Sequence, residues 1–299
     1  MTDGADSGGL RVCAVVWTYD RPTVLQSCLE ALLAQTHPVS RIVVVDSASP
    51  SPLPADVIDR FQGQVEFARL PDNAGPGAAI AEGLGRVPTG DTDLVWFVED
   101  DSIPGPACLE DLISAGSGVD VVGIDGAMVR RGEWRTVPRP RPGETVAVDF
   151  AYLDGVLAPM SVVTAVGVPR RDYFLMLVDV EYPLRFRRAG VRTLLVGTTF
   201  ETRRLGSDPG TSRFRAYYQT RNHLHMVLHA HRSVSMCAGF VVRTLRQTLS
   251  ALIGRRWWEM SLRSRGVVDA LRARMGRTLN PGRSSAPGDL ANRRGDPAG

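Results

Sequence analysis

The stretch from Val12 to Asp46, VCAVVWTYDRPTVLQSCLEALLAQTHPVSRIVVVD, decides the fold class. Apolar runs rich in β-branched residues stand at its two ends, Val12 to Trp17 and Arg41 to Val45, and predict short buried strands. Between them leucines recur at helical spacing from Pro22 to Ala34, and the proline stands in the first turn, where a helix tolerates it. We therefore expect a strand, a helix and a second strand.

The same alternation continues along the chain. Helices are predicted over Val57 to Gly63 and through Ala78 to Leu84, and strands over Val65 to Leu70 and Leu94 to Val98. Such alternation predicts an α/β fold with a mainly parallel central sheet flanked by helices. Because ligands of these sheets bind at the carboxyl ends of the strands, polar residues at those ends are the candidate site.

The amino-acid composition excludes some classes of protein, and the charge is unevenly distributed along the chain. The chain has 299 residues, of which 43% are hydrophobic, so a fibrous or wholly disordered protein is excluded. It contains no lysine. Residues 1–231 carry 22 arginines and 28 acids, a net charge of −6, whereas residues 232–299 carry 13 arginines and 4 acids, a net charge of +9. The near-neutral total thus conceals an acidic part and a basic part.

Four cysteines without paired spacing predict reduced thiols and no structural zinc. With no signal peptide pattern and no long apolar run, we expect a cytoplasmic protein. We divide the chain into a disordered start (1–10), a catalytic domain (11–231), a basic amphipathic helical segment (232–279) and a disordered tail (280–299). Within the catalytic domain, the Arg- and Pro-rich stretch from Arg130 to Gly143 is predicted to be a loop that faces the substrate or moves.

The strongest local signal is the buried strand that ends in Glu99-Asp100-Asp101. Three adjacent carboxylates repel one another unless a cation is present, and Mg²⁺ or Mn²⁺ commonly bridges such acids to substrate phosphates. The pattern therefore favours a metal-bound nucleotide diphosphate. A solvated acidic turn is the alternative.

Other polar residues end the neighbouring strands. Thr18, Tyr19 and Arg21 follow the first strand, and Asp46 ends the second, so all lie at the same edge as the acid triplet. A carboxylate can accept a hydrogen bond from a base or ribose, an aromatic ring can stack, and an arginine can pair with diphosphate. Taken singly, each is equally a helix cap or a surface group. The loop Asn73 to Gly77 precedes a helix and can bring backbone N–H groups close to an anion.

A second acidic signal lies in the apolar stretch Phe174 to Glu181. Asp179, partly removed from water there, is a candidate general base for an alcohol, because burial raises a carboxyl pKa. The alternative is that Asp179 or Glu181 merely pairs with a nearby arginine one helix turn away. The histidines from His223 to His231 lack a metal-ligand pattern and are predicted to be structural or surface residues.

These motifs, together with Tyr217-Tyr218-x-x-Arg221-Asn222, occur in the order seen in inverting family 2 glycosyltransferases of the GT-A fold. The chain resembles that family over residues 11–278, and within it the bacterial rhamnosyltransferases and actinobacterial galactofuranosyltransferases. The resemblance implies a nucleotide-sugar donor of the UDP-galactofuranose or dTDP-rhamnose type, a divalent metal (Mg²⁺ or Mn²⁺), and a glycan, lipid-linked or small-molecule acceptor in cell-surface glycan synthesis. It implies no nucleic-acid partner.

The resemblance also implies roles for individual residues. Asp179 would be the catalytic base and Asp101 the metal ligand, and Asp46 would bind the nucleobase. The remaining residues would line the nucleotide-sugar pocket: Thr18, Tyr19, Arg21, Asn73, Gly75 and Asp100. Arg203 stands where relatives often carry a histidine metal ligand, so the metal binds more weakly or Arg203 contacts the diphosphate directly.

Two other functions stay open from the sequence. One is a sugar nucleotidyltransferase, which also uses a metal and paired acids. The other is a degenerate member that binds nucleotide-sugars or acts as a scaffold. The basic segment, with apolar residues from Phe240 to Ile253 followed by Arg255-Arg256-Trp257-Trp258, suits an anionic membrane surface on the inner face of the membrane. Its alternative is a domain-packing helix with a solvated basic face.

Overall fold

The computed structural model describes residues 9–202 and 209–279, apart from the side chains of residues 209–213. The first part of the chain alternates strands and helices in the predicted order. In sequence order the elements are β1 (Val12–Thr18), α1 (Pro22–Leu33), β2 (Arg41–Asp46), α2 (Ala55–Arg60), β3 (Val65–Arg69), α3 (Pro76–Leu84) and β4 (Leu94–Glu99).

The second part is less regular, and its strands are shorter. Its elements are β5 (Ser102–Pro104), α4 (Cys108–Ala115), β6 (Val121–Gly123), β7 (Gly126–Arg130), β8 (Glu133–Val137), β9 (Thr145–Val148), β10 (Phe150–Ala151), β11 (Val156–Pro159), α5 (Met160–Val166), α6 (Val178–Arg188), β12 (Thr193–Val196) and β13 (Phe200–Thr202). Three helices follow, namely α7 (Pro209–His225), which continues into a π-helical turn (Met226–Ala230), α8 (Val234–Ile253) and α9 (Trp257–Leu271).

One eight-stranded sheet organises the fold, in the order β3-β2-β1-β4-β11-β6-β12-β9. Strands β3, β2, β1 and β4 are parallel, as are β6 and β12, whereas β11 and β9 run antiparallel to their neighbours. Side chains alternate across β1, so that Val15 packs into the core on one face and Val16 into the core on the other. The predicted mainly parallel sheet with helices on both faces is therefore observed.

The stretch from Arg130 to Gly143 is not a loop throughout, and this prediction was wrong for its first half. Strands β7 and β8 form an antiparallel hairpin whose turn, Arg131-Gly132, has positive φ at both positions. The Trp134 ring lies edge-on to His223 and beneath the Arg243 guanidinium. The many Arg and Pro residues of this stretch are typical of a loop, so the two-residue turn was not predicted. Gly132 suits this turn because of its positive φ.

The basic segment 232–279 divides into two helices with different surroundings. Helix α9 packs along α7 so closely that a Cβ on Gly266 would lie 2.8 Å from the carbonyl oxygen of Tyr217. Helix α8 buries one face against the β7–β8 hairpin and exposes apolar residues on the other. The two predicted disordered regions, 1–10 and 280–299, lie outside the described residues except for residues 9 and 10. No helix in the described ranges is long and apolar enough to span a bilayer.

Candidate active site

The parallel strands bring the predicted residues to one edge of the sheet. Thr18 at the end of β1 is in register with Asp46 at the end of β2, and Trp17 is in register with Glu99 at the end of β4. Residues 28 and 82 positions apart in sequence thereby become neighbours across strands about 4.8 Å apart. The carboxyl edge of the sheet therefore carries two carboxylate sites, one after β2 and one after β4.

The site after β2 is built around Asp46, which is buried. One carboxylate oxygen accepts hydrogen bonds from the backbone N–H and the hydroxyl of Ser49, and the other pairs with the Arg69 guanidinium. Arg69 also donates to the Ser49 carbonyl oxygen at 2.6 Å. Asp46 is thus held rigidly by a hydroxyl and an arginine, neither of which the sequence analysis identified. Carboxylate lone pairs remain for a ligand, because two oxygens offer about four acceptor positions.

The site after β4 begins with Asp100, which is fully buried. Its carboxylate accepts a hydrogen bond from the Thr18 hydroxyl at 2.6 Å and pairs with the Arg21 guanidinium at 2.7 Å. Burial raises the pKa of Asp100 to about 6, although Arg21, Thr18 and the Tyr19 N–H act against the rise. The Tyr19 side chain itself is exposed and available for contact with a ligand.

Arg21 also pairs with Asp101, at 2.9 Å. From the sequence, Arg21 is expected to lie around the nucleotide; in the structure this arginine neutralises part of the acid triplet. The second oxygen of Asp101, Oδ1, is buried and has no hydrogen-bond partner among the described residues. A buried acceptor without a donor is costly, so this oxygen is suited to a cation.

A divalent metal fits Asp101, because its Oδ1 atom is a buried acceptor without a donor. The described residues contain no ready-made group of three or more His, Cys, Asp or Glu side chains in position to bind an ion. Phosphate oxygens of a ligand and water would therefore have to complete the coordination, as is common for Mg²⁺. Arg203, the residue at the usual histidine position, lies outside the described residues.

Asp154 is a further carboxylate at this site, and it is not among the residues predicted from the sequence. It lies in the turn before β11, which runs antiparallel to β4, and its oxygens accept hydrogen bonds from the Glu99 N–H at 2.8 Å and the Ser102 hydroxyl at 2.6 Å. Burial raises the pKa of Asp154 to about 6. The available signal was the Asp154-Gly155 turn directly before a short apolar run.

Glu99, the last residue of β4, also has a raised pKa. Burial raises its pKa well above the usual value, and the nearby charges of Asp154, Asp101 and Asp179 raise it further. Glu99, Asp154 and Asp179 are partly accessible to solvent.

Asp179 is therefore brought to the acids of β4 from the first turn of α6. Burial raises its pKa, and backbone hydrogen bonds at Asp179 and Leu177 partly oppose the rise. The charge on Asp179 in turn raises the pKa of Glu99, so the two acids lie near each other.

The arginine-pairing alternative describes Glu181 and not Asp179. Glu181 is buried and forms a two-bond ion pair with Arg185 one turn along α6, with both N–O distances 2.9 Å. Asp179 forms no ion pair with any residue that the structure describes. The two acids of the motif therefore differ in their contacts: Glu181 is fixed in a salt bridge, whereas Asp179 is not paired with any described residue.

The segment before Asp179 is strained. Leu175 and Leu177 have φ values of 59° and 75°, which non-glycine residues seldom adopt. Asn222 on α7 holds this segment by donating to the Phe174 and Met176 carbonyl oxygens, and the Tyr173 hydroxyl donates to the Asn222 carbonyl oxygen. Asn222, from the motif on α7, thus helps to hold the segment that precedes Asp179.

The loop that contains Asn73 and Gly75 packs against the same segment. The Gly75 N–H donates to the Asn73 side-chain oxygen at 3.1 Å, and Gly75 has φ 86°. A Cβ at this position would lie 2.9 Å from the Phe174 ring. The predicted pocket loop and the predicted base are therefore coupled through Phe174.

The histidines of α7 belong to the core, as expected from sequence. His223 and His225 are buried, and burial lowers their pKa values to about 3 and about 4, so both are neutral. His223 packs against Trp134 and Phe240, and His225 contacts Tyr173. Neither contributes to a metal site in the described part of the chain.

Comparison with known proteins agrees with this architecture. Residues 13–153 match the model of the family described as Glycosyl transferase family 2. The matched part carries Asp46 of the β2 site and Glu99, Asp100 and Asp101 of the β4 site, whereas Asp154 and Asp179 lie beyond it. No curated protein matches the sequence.

Among solved structures, the chain is similar to TarS of S. aureus. A TarS 1-349 complex with UDP-GlcNAc has 17% identity and a TM-score of 0.60, covering 88% of this chain and 81% of that one. A TarS 1-349 complex with UDP has 17% identity and a TM-score of 0.51, with coverages of 72% and 66%. A longer TarS structure has 17% identity and a TM-score of 0.55, and the match spans 74% of this chain but only 40% of TarS. The likeness shows the fold, and the predicted GT-A glycosyltransferase fold is confirmed.

Proposed function

We propose that this protein is an inverting glycosyltransferase, which moves a sugar from a nucleotide-sugar to an acceptor hydroxyl with Asp179 as the base. One observation carries the proposal. Asp179 has a raised pKa, forms no ion pair with the described residues, and lies close enough to the acids that end β4 to raise the pKa of Glu99. An acid in such a setting is suited to accept a proton near neutral pH.

The chemistry follows from this placement. The Asp179 carboxylate takes the proton of the acceptor hydroxyl as that oxygen forms a bond to the anomeric carbon. The bond from the anomeric carbon to the diphosphate oxygen breaks on the opposite face, so the configuration inverts and a nucleoside diphosphate leaves. Protein cations close to the departing diphosphate lower the barrier, because they stabilise charge that develops in the transition state.

The donor is assigned to the edge formed by β1, β2 and the Asn73 to Gly77 loop. Asp46 is proposed to bind the base, with Thr18, Tyr19, Asn73, Gly75 and Asp100 around the nucleotide-sugar. The TarS structures in complex with UDP and UDP-GlcNAc support a uridine nucleotide. We keep UDP-galactofuranose and dTDP-rhamnose as the proposed donor types, with UDP-GlcNAc as the comparison.

A divalent metal, Mg²⁺ or Mn²⁺, is proposed to bind Asp101 Oδ1. When bound, the ion would neutralise charge on the diphosphate. Arg21 already pairs with Asp100 and Asp101. We propose that Arg21 shares the diphosphate charge with the metal, and that Arg203 does so from the position where relatives have a histidine.

The acceptor is proposed to be a glycan, lipid-linked or small-molecule hydroxyl in cell-surface glycan synthesis, with the reaction in the cytoplasm. A lipid-linked acceptor would give a role to the anionic membrane surface that we expect as a partner of the basic segment. A nucleic-acid partner is not part of the proposal.

A donor panel tests this function. The full-length protein is incubated with UDP-galactofuranose, dTDP-rhamnose and UDP-GlcNAc, with Mn²⁺ or EDTA, and the released nucleotide is identified. Release of a nucleoside diphosphate supports glycosyl transfer or its hydrolytic side reaction. A nucleotidyltransferase would instead give pyrophosphate when a sugar phosphate and a nucleoside triphosphate are supplied. Nucleotide-sugar binding without release for every donor and acceptor would favour the non-catalytic alternative and contradict the proposal.

A further inference from the structure

Helix α8 exposes one continuous apolar face. Leu245, Leu249 and Ile253 are 64%, 58% and 76% exposed, values that are high for large apolar side chains in a folded helix. At 100° per residue, the exposed apolar residues of the helix fall within one face about 120° wide. They are Val234, Ala238, Val241, Val242, Leu245, Leu249, Leu252 and Ile253, and we call them the α8 apolar face.

The opposite face of the helix packs against the rest of the protein. Met236 and Phe240 are buried in the core, and a Cβ on Gly239 would lie 2.4 Å from the Gly132 carbonyl oxygen in the β7–β8 turn. The Ser233 side chain caps the start of the helix by accepting a hydrogen bond from the Met236 N–H. The α8 apolar face is therefore held outward on a fixed helix.

The segment that carries this face is basic. Residues 232–258 contain five arginines and no Asp or Glu. Arg246 and Arg256 pair with Glu133 and Glu259. Arg232 and Arg255, which flank the two ends of α8, are exposed, and neither forms an ion pair with any described residue. Trp257, which is 61% exposed, lies two residues after Arg255.

Other occupants of the face fit less well. The sequence outside the described residues, 1–8, 203–208 and 280–299, offers Met1, Leu205 and Leu290 as its large apolar side chains, too few to cover eight positions. A second copy packed face to face, parallel or antiparallel, would bring the arginines at the helix ends together, and like charges repel. An anionic surface instead attracts both ends.

We propose that α8 docks this protein on an anionic lipid bilayer, with the helix parallel to the membrane plane and its apolar face among the acyl chains near the headgroups. A basic amphipathic helix with Trp at its edge binds in this way, through buried apolar area and attraction to acidic lipids. The proposal rests on the exposure and charge of α8 alone. It is thus independent of which sugar is transferred.

The test is co-sedimentation of the full-length protein with vesicles of phosphatidylcholine alone or mixed with phosphatidylglycerol. We expect binding to the mixed vesicles that weakens at high salt. The double variant Leu245→Glu/Leu249→Glu should bind at least about tenfold more weakly, because it places two charges in the apolar face. Arg255→Gln should weaken binding about fivefold, since each arginine near an acidic membrane contributes about 1 kcal/mol. Val119→Glu/Val168→Glu, which changes exposed valines elsewhere, should bind like the parent protein.

The substituted side chains are exposed, so circular dichroism and thermal melting should show that each variant folds. Absence of binding to mixed vesicles would overturn the proposal, as would equal binding by the α8 double variant. A dimer in sedimentation velocity that Leu245→Glu/Leu249→Glu abolishes, without vesicle binding by the parent, would assign the face to a second copy and also overturn it. Since vesicle binding needs no donor, a failed donor panel leaves this result unaffected.

Discussion

Two carboxylate sites lie at the same edge of the sheet and differ in how their charge is balanced. At the end of β2, Asp46 is paired with Arg69 and hydrogen-bonded by Ser49. At the end of β4, five carboxyl groups come together, those of Glu99, Asp100, Asp101, Asp154 and Asp179. Arg21 is the arginine paired with this group among the described residues.

The charge of the β2 site is balanced by protein groups, whereas the β4 site needs a ligand or protons to balance its charge. The β2 site is a preformed ion pair, suited to positioning a nucleotide. The β4 site has more negative groups than cations, so its acids must keep protons, bind a metal or accept a proton from a substrate. The β4 site is therefore where we expect the chemistry, and substitutions at the two sites should have different kinetic signatures.

The largest expected effect is that of Asp179→Asn. It should lower turnover about 10²- to 10⁴-fold, because a general base contributes that much, while nucleotide affinity stays within about threefold. Turnover of the active donor and nucleotide titration measure the two effects. Glu181→Gln, on the same helix turn, is the comparison, because its salt bridge with Arg185 predicts lower thermal stability with turnover reduced far less. Unchanged turnover in Asp179→Asn would remove Asp179 from the mechanism.

Asp101→Asn should come next, with turnover lowered about 10²-fold, because a bound metal supplies several kcal/mol of charge stabilisation. The variant should also lose any increase in nucleotide affinity caused by Mn²⁺. Nucleotide titrations with Mn²⁺ and with EDTA measure this difference. If Mn²⁺ strengthens nucleotide binding equally in both proteins, Asp101 is not the ligand.

Asp154 at the β4 site should make the stability of the protein depend on pH. Because the pKa of Asp154 is raised to about 6 in the folded protein, it favours folding below its unfolded value of about 3.9, and this contribution is lost as pH rises through about 6. Asp154→Asn mimics the protonated acid. In chelator-treated protein, its melting temperature relative to wild type should therefore increase between pH 4 and pH 7.5. A difference that is flat over this range would contradict the raised pKa.

Gly75→Ala should have the smallest effect, acting through the contact between the pocket loop and Phe174. Gly167→Ala is a matched control, because Gly167 (φ 74°, ψ −171°) has nearly the backbone conformation of Gly75 (φ 86°, ψ 178°) but open space around it. Both variants carry backbone strain. Gly75→Ala should lose about 1–3 kcal/mol more of the unfolding free energy, the usual cost of overpacking, and should raise the donor KM. Equal losses in urea denaturation would show that the Phe174 contact is unimportant.

Much of the fold was predictable from sequence because its signals are local. Strands β1 to β4 and the helices between them follow from apolar runs and helical spacing, and parallel pairing then places Thr18, Asp46 and Glu99 at one edge. The β7–β8 hairpin was missed because its turn, Arg131-Gly132, is short and surrounded by Arg and Pro.

The rest of the site depends on contacts between distant segments. Asp154 reaches Glu99 because β11 lies antiparallel beside β4, a pairing that no local pattern specifies. The pairing of Arg21 with Asp100 and Asp101 likewise joins residues about 80 positions apart. From sequence spacing alone, Asp179 and Glu181 were equally suited to pair with an arginine one helix turn away. In the structure only Glu181 does so, because the two side chains point in different directions from α6.

The most direct test of the contrast between the two sites is one nucleotide titration and turnover assay applied to Asp46→Asn and Asp179→Asn side by side. We predict that Asp46→Asn weakens nucleotide binding about 10- to 100-fold, as expected for loss of a charged hydrogen bond worth about 1.5–3 kcal/mol, with turnover at saturating donor little changed. Asp179→Asn should give the reverse, with nucleotide binding retained and turnover lost. The same loss of binding in both variants, or of turnover in both, would contradict the division of the edge into a binding site at β2 and a reaction site at β4.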